Sequence, residues 1–472
     1  MTSNVKRKGK ITLPARATVF YTLTGALERG TNLIFTPIFT RMLTPEEYGI
    51  YPLYVSWMGI LTVVCTLELT GNVIYKGLSK YRGREGDFLS ASLGLISLSS
   101  LTVLLLFLPL GDGVLSFIGL NRGILLLLIL QIYINGVTNL YFARCRYFYR
   151  YKSASLINLL AAILSPTLSF LIIRLTAFDG EARIIGPLVV SGVIAVPLAV
   201  SFIRRSKRLF DGGIWRYLLR LVLPLLPHFL ASTVIAQSGK IAVGRFFGDG
   251  ELAKYSLVFS LGFLFSVITN GINSGLSPWI NRKLSHGAGH TVDLTVEKLF
   301  SVFAALSLMG VCFIPEGLSF LAPPEYLGAL PAVYPIAISV LLSFLGSTLY
   351  TVIVYYERTY LVTLGSVGVA VLTVILHLTL TARYGFMAAA LVQVIASASL
   401  VLANAIILGG VLKNHSFKLK NYLGTLTGAV LFAATLSYLR DMLIPRILVF
   451  IALLLILIPR AVSLYRLIKE KD

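Results

Sequence analysis

Carboxylates are scarce in this chain: it has 20 aspartates and glutamates in 472 residues, against 41 lysines and arginines. Charged residues of both signs reach only 13%, where a soluble domain carries roughly 25%. That deficit excludes a water-soluble enzyme, a disordered chain and a nucleic-acid-binding domain. Cysteine is nearly missing. Cys65, Cys145 and Cys312 lie in or at the ends of apolar segments and form no CxxC pair. A disulfide scaffold is thereby excluded, and no zinc or redox signature is left. No residues show metal-ligand spacing or a catalytic constellation, so neither a cofactor nor an enzyme activity is expected. Any soluble domain is lacking too, since the longest outer connection runs only from about Pro315 to Leu330.

Apolar residues are what the chain has in abundance: 56%, with a mean hydropathy of +0.84. They gather into fourteen stretches, near 17–41, 48–75, 87–109, 121–145, 153–175, 184–203, 219–244, 253–280, 294–314, 331–355, 360–381, 385–411, 419–439 and 443–464. Each is long enough to cross about 30 Å of hydrocarbon as a helix. Leu, Ile and Val recur without strict alternation, which argues against a transmembrane barrel. The expected fold is all-α and polytopic. It has an N-lobe over 1–203, an amphipathic cytoplasmic linker over 204–218, a C-lobe over 219–412, and two further helices with a cytoplasmic tail over 413–472.

The connections alternate in charge. With the N-terminus inside, the inner segments hold 29 lysines and arginines and the outer ones nine. This is the positive-inside pattern. It places both termini in the cytoplasm and explains most of the +21 net charge without a nucleic-acid partner. The first apolar stretch is too long for a signal-peptide core, carries Glu28 and Arg29, and has no A-x-A site. The linker mixes Arg and Lys with Leu209, Phe210, Trp215 and Tyr217, a composition suited to an anionic leaflet.

An internal repeat runs at an offset of 204 residues. RMLTPEEYGIYPLYVS from Arg41 aligns without a gap to RFFGDGELAKYSLVFS from Arg245, pairing Arg41 with Arg245, Glu47 with Glu251, Tyr51 with Tyr255, Leu53 with Leu257 and Ser56 with Ser260. A six-helix repeat leaves both copies in the same orientation. Such halves suit alternating access, with a substrate in the cleft between them.

Polar groups within spans are costly and mark functional candidates. Thr24, Glu28 and Asn32 share one face of the first helix, and Glu68 and Asn72 lie one turn apart in the second. Gln131, Asn135, Asn139 and Arg146 form a stripe in the fourth. The seventh carries Thr233, Gln237 and Lys240, and the eighth Ser266, Asn270, Asn273 and Ser277. Arg29, Lys240 and Arg146 supply cations to a shared cavity, with Asn32, Asn72, Gln237, Asn270 and Asn273 as its polar lining. A cationic cavity suits a phosphate-bearing substrate. Structural readings stand beside these. Arg29 can pair with Glu68, Lys240 can snorkel to the interface, and the amides can tie helices together. Glu28 and Glu68 are candidates for coupling to H+ or Na+, or structural partners for Arg29. The lone histidines His228 and His377 read as structural. Pro224 and Pro227 are candidate hinges or static bends.

TPIFTRMLTPEEYGIYPLY, residues 36–54, resembles the polysaccharide transporters of the Wzx type, within the multidrug/oligosaccharidyl-lipid/polysaccharide (MOP) flippase superfamily. Thr40, Arg41, Leu43, Thr44, Glu46, Glu47, Tyr48 and Gly49 carry the likeness. The resemblance implies a flippase of the cell membrane that moves a polyprenyl-diphosphate-linked oligosaccharide to the outer leaflet for surface glycan synthesis. It implies membrane lipids and other polysaccharide-assembly proteins as partners. The pair of helices after about residue 415 is shared with lipid II flippases. Lipid II transport and drug export within the superfamily are the alternatives. A membrane glycan polymerase or ligase would want a large outer loop, which is missing. A major-facilitator symporter would want G-x-x-x-D-[RK], which KGLSKYRGREGD lacks.

Overall fold

The computed structural model describes residues 13–469 except 110, 112, 114, 116–118, 207, 288 and 414–416. Within helices, the side chains of 13–19, 21–23, 26, 29, 72, 205, 267, 270, 274 and 465–469 also lie outside the described set. Among the described residues every regular element is helical. In chain order these are α1 (Leu13–Met42), α2 (Pro45–Thr66), α3 (Asn72–Lys80), α4 (Glu85–Phe107), α5 (Arg122–Tyr147), α6 (Tyr151–Leu175), α7 (Ala182–Arg205), α8 (Gly212–Val222), α9 (Leu226–Phe263), α10 (Phe265–Ser285), α11 (Gly289–Val311), α12 (Ile314–Leu321), α13 (Val333–Tyr355), α14 (Thr359–Leu376), α15 (Ala382–Ile406), α16 (Lys420–Tyr438) and α17 (Leu443–Lys469). Each apolar stretch of the sequence falls on one helix or on two in succession. Among the described residues nine helical stretches are long and apolar enough to cross a membrane, or ten if the bent pair α8–α9 counts as one. One of the nine, Thr359–Val411, contains two successive passes that meet at Gly385, whose φ of 73° only glycine adopts freely.

The chain divides into two compact units: Met1–Met42 with Leu61–Leu226, and Leu43–Ile60 with Pro227–Asp472. In the first, α6 packs along α1 and α7, and α5 packs against α4 and α7. In the second, α13 is the central helix, buried along nearly its whole length and packed chiefly on α15. By contrast, α6 and α17 bury little of themselves and turn Leu156, Leu164, Leu448 and Leu455 outward. Such an apolar exterior is stable in lipid and not in water.

Local chemistry explains several boundaries. Thr44 and Glu47 of the TPEE motif form a capping box: the Thr44 N–H donates to Glu47 Oε2 at 2.8 Å, and the Glu47 N–H to Thr44 Oγ1 at 3.3 Å. Pro45 takes the first helical position, where no amide is needed. Asn121 caps α5 by accepting from the Ile124 N–H at 2.7 Å. The second apolar stretch is not the continuous helix its composition predicts. It breaks at Leu67 and Glu68, both in the left-handed region (φ 52° and 49°), before α3 begins at Asn72. Non-glycine residues there are strained, so this break is held by its surroundings. Glu68 and Asn72 are therefore not one turn apart on one helix.

Basic residues 204–220 fold into a strap whose end is the amphipathic α8. Asp211 caps it, accepting from the Gly213 and Ile214 N–H groups at 3.0 Å each. Ile214, Leu218 and Val222 are buried, while Arg216 and Arg220 face out. Ser206 Oγ donates to Asp87 Oδ1 at 2.6 Å, and the Trp215 indole donates to the Ala91 carbonyl at 2.9 Å. The Asp87 carboxyl is held below the usual carboxylate range by the Ser206 hydrogen bond, then by Arg84.

In the second unit, α16 and α17 are tied to α11 and α12 by polar contacts. Asp293 accepts from Tyr422 Oη at 2.7 Å and Asn421 Nδ2 at 2.9 Å. Lys298 Nζ donates to Ser463 at 2.7 Å. The buried Arg446 forks onto Glu316 at 2.5 and 2.9 Å and reaches the Cys312 carbonyl at 2.6 Å.

Candidate functional site

The candidate cations and amides divide between the units. Glu28, Asn32, Glu68 and Arg146 belong to the first, and Gln237, Lys240 and Asn273 to the second. The side chains of Arg29, Asn72 and Asn270 lie outside the described residues.

Lys240 is the outstanding charge. It is carried by α9 within the apolar interior, and its ammonium lies 4.6 Å from the centroid of the Phe259 ring. Phe259 is itself buried and stacks on Phe263 at 5.2 Å. Among the described residues no carboxylate acts on Lys240. A cation in hydrocarbon without a counter-ion is costly, and the face of one aromatic ring returns only about 2 kcal/mol when desolvated. The site is thus poised to take an anion. One turn earlier, Gln237 lies against Gly59 of α2, where a β-carbon would stand 3.4 Å from its Cγ and Nε2. Its Oε1 is buried without a hydrogen bond. Asn273 on α10 donates to Ser347 Oγ on α13 at 2.9 Å, so this amide ties two helices.

In the first unit, Glu28 Oε2 accepts from Asn158 Nδ2 of α6 at 3.0 Å. Asn32 is exposed on the same helix. Arg146 is exposed in the last turn of α5, at an end of the helix rich in arginine. Glu68 sits in the strained break after α2. Pro224 falls in the break between α8 and α9, and Pro227 lies in the first turn of α9.

The repeat motif has a structural role of its own. Within the second unit its two copies touch. Glu46 and its repeat-equivalent Gly250 face each other, and a β-carbon on Gly250 would stand 2.6 Å from Glu46 Oε1. A β-carbon on Gly49 would overlap the Asp249 carbonyl. Leu53 reaches Gly244 further along, and Gly59 reaches Gln237. Small residues let the two backbones close together. Burial and the neighbouring Glu46 raise the Asp249 carboxyl above its usual range.

The sequence reading did not find Phe259, Asn158 or the glycine seam. Phe259 is four residues after Tyr255 in the repeat, which marks its helix but not the cation above it. Asn158 stands alone in an apolar helix, and a lone intramembrane amide is itself a signal.

The described residues thus form a multi-pass helical protein with a two-copy repeat and an interior cation on which, among them, no carboxylate acts. The chain belongs to the family described as polysaccharide biosynthesis protein, whose profile matches residues 15–283. No curated protein matches the sequence. Among solved structures, the fold is similar to the lipid II flippase MurJ in an inward closed conformation (TM-score 0.72, 14% identity, 95% of this chain and 99% of that one). It is similar also to an inward-facing multidrug resistance MATE transporter (TM-score 0.62, 16% identity, 82% and 96%). A third likeness is a MOP transporter from Pyrococcus furiosus described by the reverse polarity of its binding pocket (TM-score 0.57, 15% identity, 91% and 99%). The chain is thus a member of the polysaccharide biosynthesis protein family with the fold of the MOP-superfamily transporters.

Proposed function

We propose that this protein is a flippase that moves a polyprenyl-diphosphate-linked oligosaccharide from the cytoplasmic to the outer leaflet of the cell membrane by alternating access. The observation that carries this reading is Lys240, an interior cation on which, among the described residues, no carboxylate acts. A diphosphate supplies the missing negative charge, and charge-assisted contacts to phosphate are among the strongest polar ones. An organic-cation drug would be repelled at the same point. The family's link to polysaccharide biosynthesis supports a glycan as cargo. The bias of 29 basic residues to nine supports cytoplasmic termini, so that loading occurs on the basic side. Exposed Arg146, in the last turn of α5, is suited to meet the headgroup as it arrives.

The test uses the full-length protein in nanodiscs with geranylgeranyl diphosphate as the probe. Lys240→Met should weaken binding at least tenfold, since a hydrogen bond to a charged group contributes about 1.5–3 kcal/mol. Lys240→Arg should retain most of it. Equal affinity in wild type and Lys240→Met would overturn the assignment. In cells lacking the protein, the lipid-linked oligosaccharide should accumulate on the cytoplasmic leaflet.

A further inference from the structure

The arginine-rich end of α5 borders a cavity in the first unit that the reading above does not use. It is partly enclosed and holds about 240 Å³. Its walls are Glu85, Gly86 and Leu89 in the first turns of α4, Arg144 in the last turn of α5 with Phe148 just past it, and Phe202 near the end of α7. Three helix ends therefore meet there. The lining carries one charge of each sign. Glu85 and Arg144 are both half-buried, and the Arg144 charge acts on Glu85. Glu85 is fixed in place, its Oε1 accepting from the Gly83 N–H at 2.9 Å. The other walls are apolar. Leu89 and Phe202 are buried, whereas Phe148 is 40% exposed. The chain leaves α5 by an irregular turn, in which the Arg150 N–H donates to the Cys145 carbonyl at 2.8 Å around Tyr149 at a φ of 53°. Glycine is the usual residue at such a helix end, and a tyrosine there is strained. The turn presents Phe148 and Tyr149 outward beside the exposed Arg146 and Arg150. Aromatic rings among arginines at the ends of membrane-crossing helices mark the headgroup layer of a bilayer.

We propose that this cavity binds the headgroup of a membrane phospholipid that carries both a phosphate and a primary ammonium, as phosphatidylethanolamine does. The lining decides the ligand. A guanidinium takes phosphate through charge-assisted, two-pronged hydrogen bonds. An ionised carboxylate accepts hydrogen bonds and donates none, so Glu85 takes the ammonium and repels a headgroup that is only anionic. A quaternary ammonium has no hydrogen to give it. At about 240 Å³ the cavity is smaller than the roughly 300–1,000 Å³ of sites for drug-sized molecules, so it holds a headgroup and not an oligosaccharide. Leu89, Phe148 and Phe202 offer the glycerol and the first acyl carbons an apolar wall. Lys240 belongs to the second unit, and this site needs nothing from it. A headgroup held by Glu85 of α4 and Arg144 of α5 bridges those two helices. The lipid thereby fastens this end of the first unit, and binding to the folded state alone raises its stability.

The test uses the full-length protein in detergent, with dioctanoyl phosphatidylethanolamine, phosphatidylglycerol and phosphatidylcholine as probes and native mass spectrometry as the readout. Wild type should bind the first about tenfold tighter than the other two. Glu85→Gln keeps an acceptor for the Gly83 N–H and removes the charge. It should weaken phosphatidylethanolamine about tenfold and leave phosphatidylglycerol as tight or tighter. Arg144→Gln should weaken both. Equal binding of the three lipids in wild type, or a preference for phosphatidylethanolamine that survives Glu85→Gln, overturns the site. Phe148→Ala changes an exposed side chain and serves if either charge variant fails to fold. It should also weaken phosphatidylethanolamine about tenfold, and an unchanged affinity overturns the site. Free phosphoethanolamine lacks the apolar part and should displace the lipid only at about a hundredfold higher concentration. Displacement at equal concentration would make the ligand a soluble phosphate ester and overturn the lipid assignment.

Discussion

Gly49 gives the sharpest steric test of the contact between the two repeat copies. A β-carbon there would stand 2.5 Å from the Asp249 carbonyl carbon and 2.9 Å from its Cα. Ordinary contact begins near 3.4 Å and the carbonyl oxygen stands closer still, so the facing backbone must retreat by more than about 1 Å. Neither partner is a flexible side chain that can swing away. Overpacking of this kind costs about 1–3 kcal/mol. At about 1.4 kcal/mol per decade, Gly49→Ala should therefore reduce the population of the contact by about 5- to 150-fold. The assay is the rate of disulfide formation between Glu46→Cys and Asp249→Cys. Cys65, Cys145 and Cys312 are buried and free, so background reaction is small. Gly424→Ala serves as the control, because nothing lies within 4 Å of its added carbon. An unchanged cross-linking rate with unchanged thermal stability in Gly49→Ala would refute the reasoning.

Other outcomes follow from named contacts. Arg446→Ala should loosen α17 and lower thermal stability by about 2 kcal/mol, discounted because Glu316 is half-exposed; an unshifted melting curve would contradict it. Asp87 is held below its usual range, so its contribution is present above the unfolded carboxylate range and is lost as pH falls through its lowered folded value. Acidification should thus loosen the strap, seen in Trp215 fluorescence, and Asp87→Asn should flatten that response. Asp249 has the opposite sign, since its raised carboxyl favours the folded contact at low pH and weakens it as pH rises through the folded value. Asp249→Asn should abolish that slope in thermal unfolding measured across the acid range. Asn158→Leu leaves Glu28 without its hydrogen-bond donor, and should lower stability measurably while leaving binding at Lys240 intact.

The helical class, the apolar segments and the repeat were legible in the sequence because each is written as a period or an average. The capping box was legible too, since Thr44, Pro45 and Glu47 act within one turn. The break at Leu67 and Glu68 was not. Its cause is two left-handed non-glycine residues that composition does not mark, and only surrounding packing can hold them. Lys240 was legible as an interior charge, but its seat on Phe259 depends on two passes meeting after the turn at Gly248. The meeting of Glu85 and Arg144 at one cavity was not legible, because they lie on different helices well apart in sequence. Pairings of that kind belong to topology, and a linear pattern does not contain them.

The fastening of α16 and α17 has a consequence for a shortened chain. Asp293, Lys298 and Glu316 all point their polar ends at this terminal pair. Cutting the chain near residue 413 would leave Asp293, Lys298 and Glu316 without the partners they have on α16 and α17. A chain shortened to twelve passes would therefore not be as stable as this one without further change. Neutral residues at those three positions would lessen the loss.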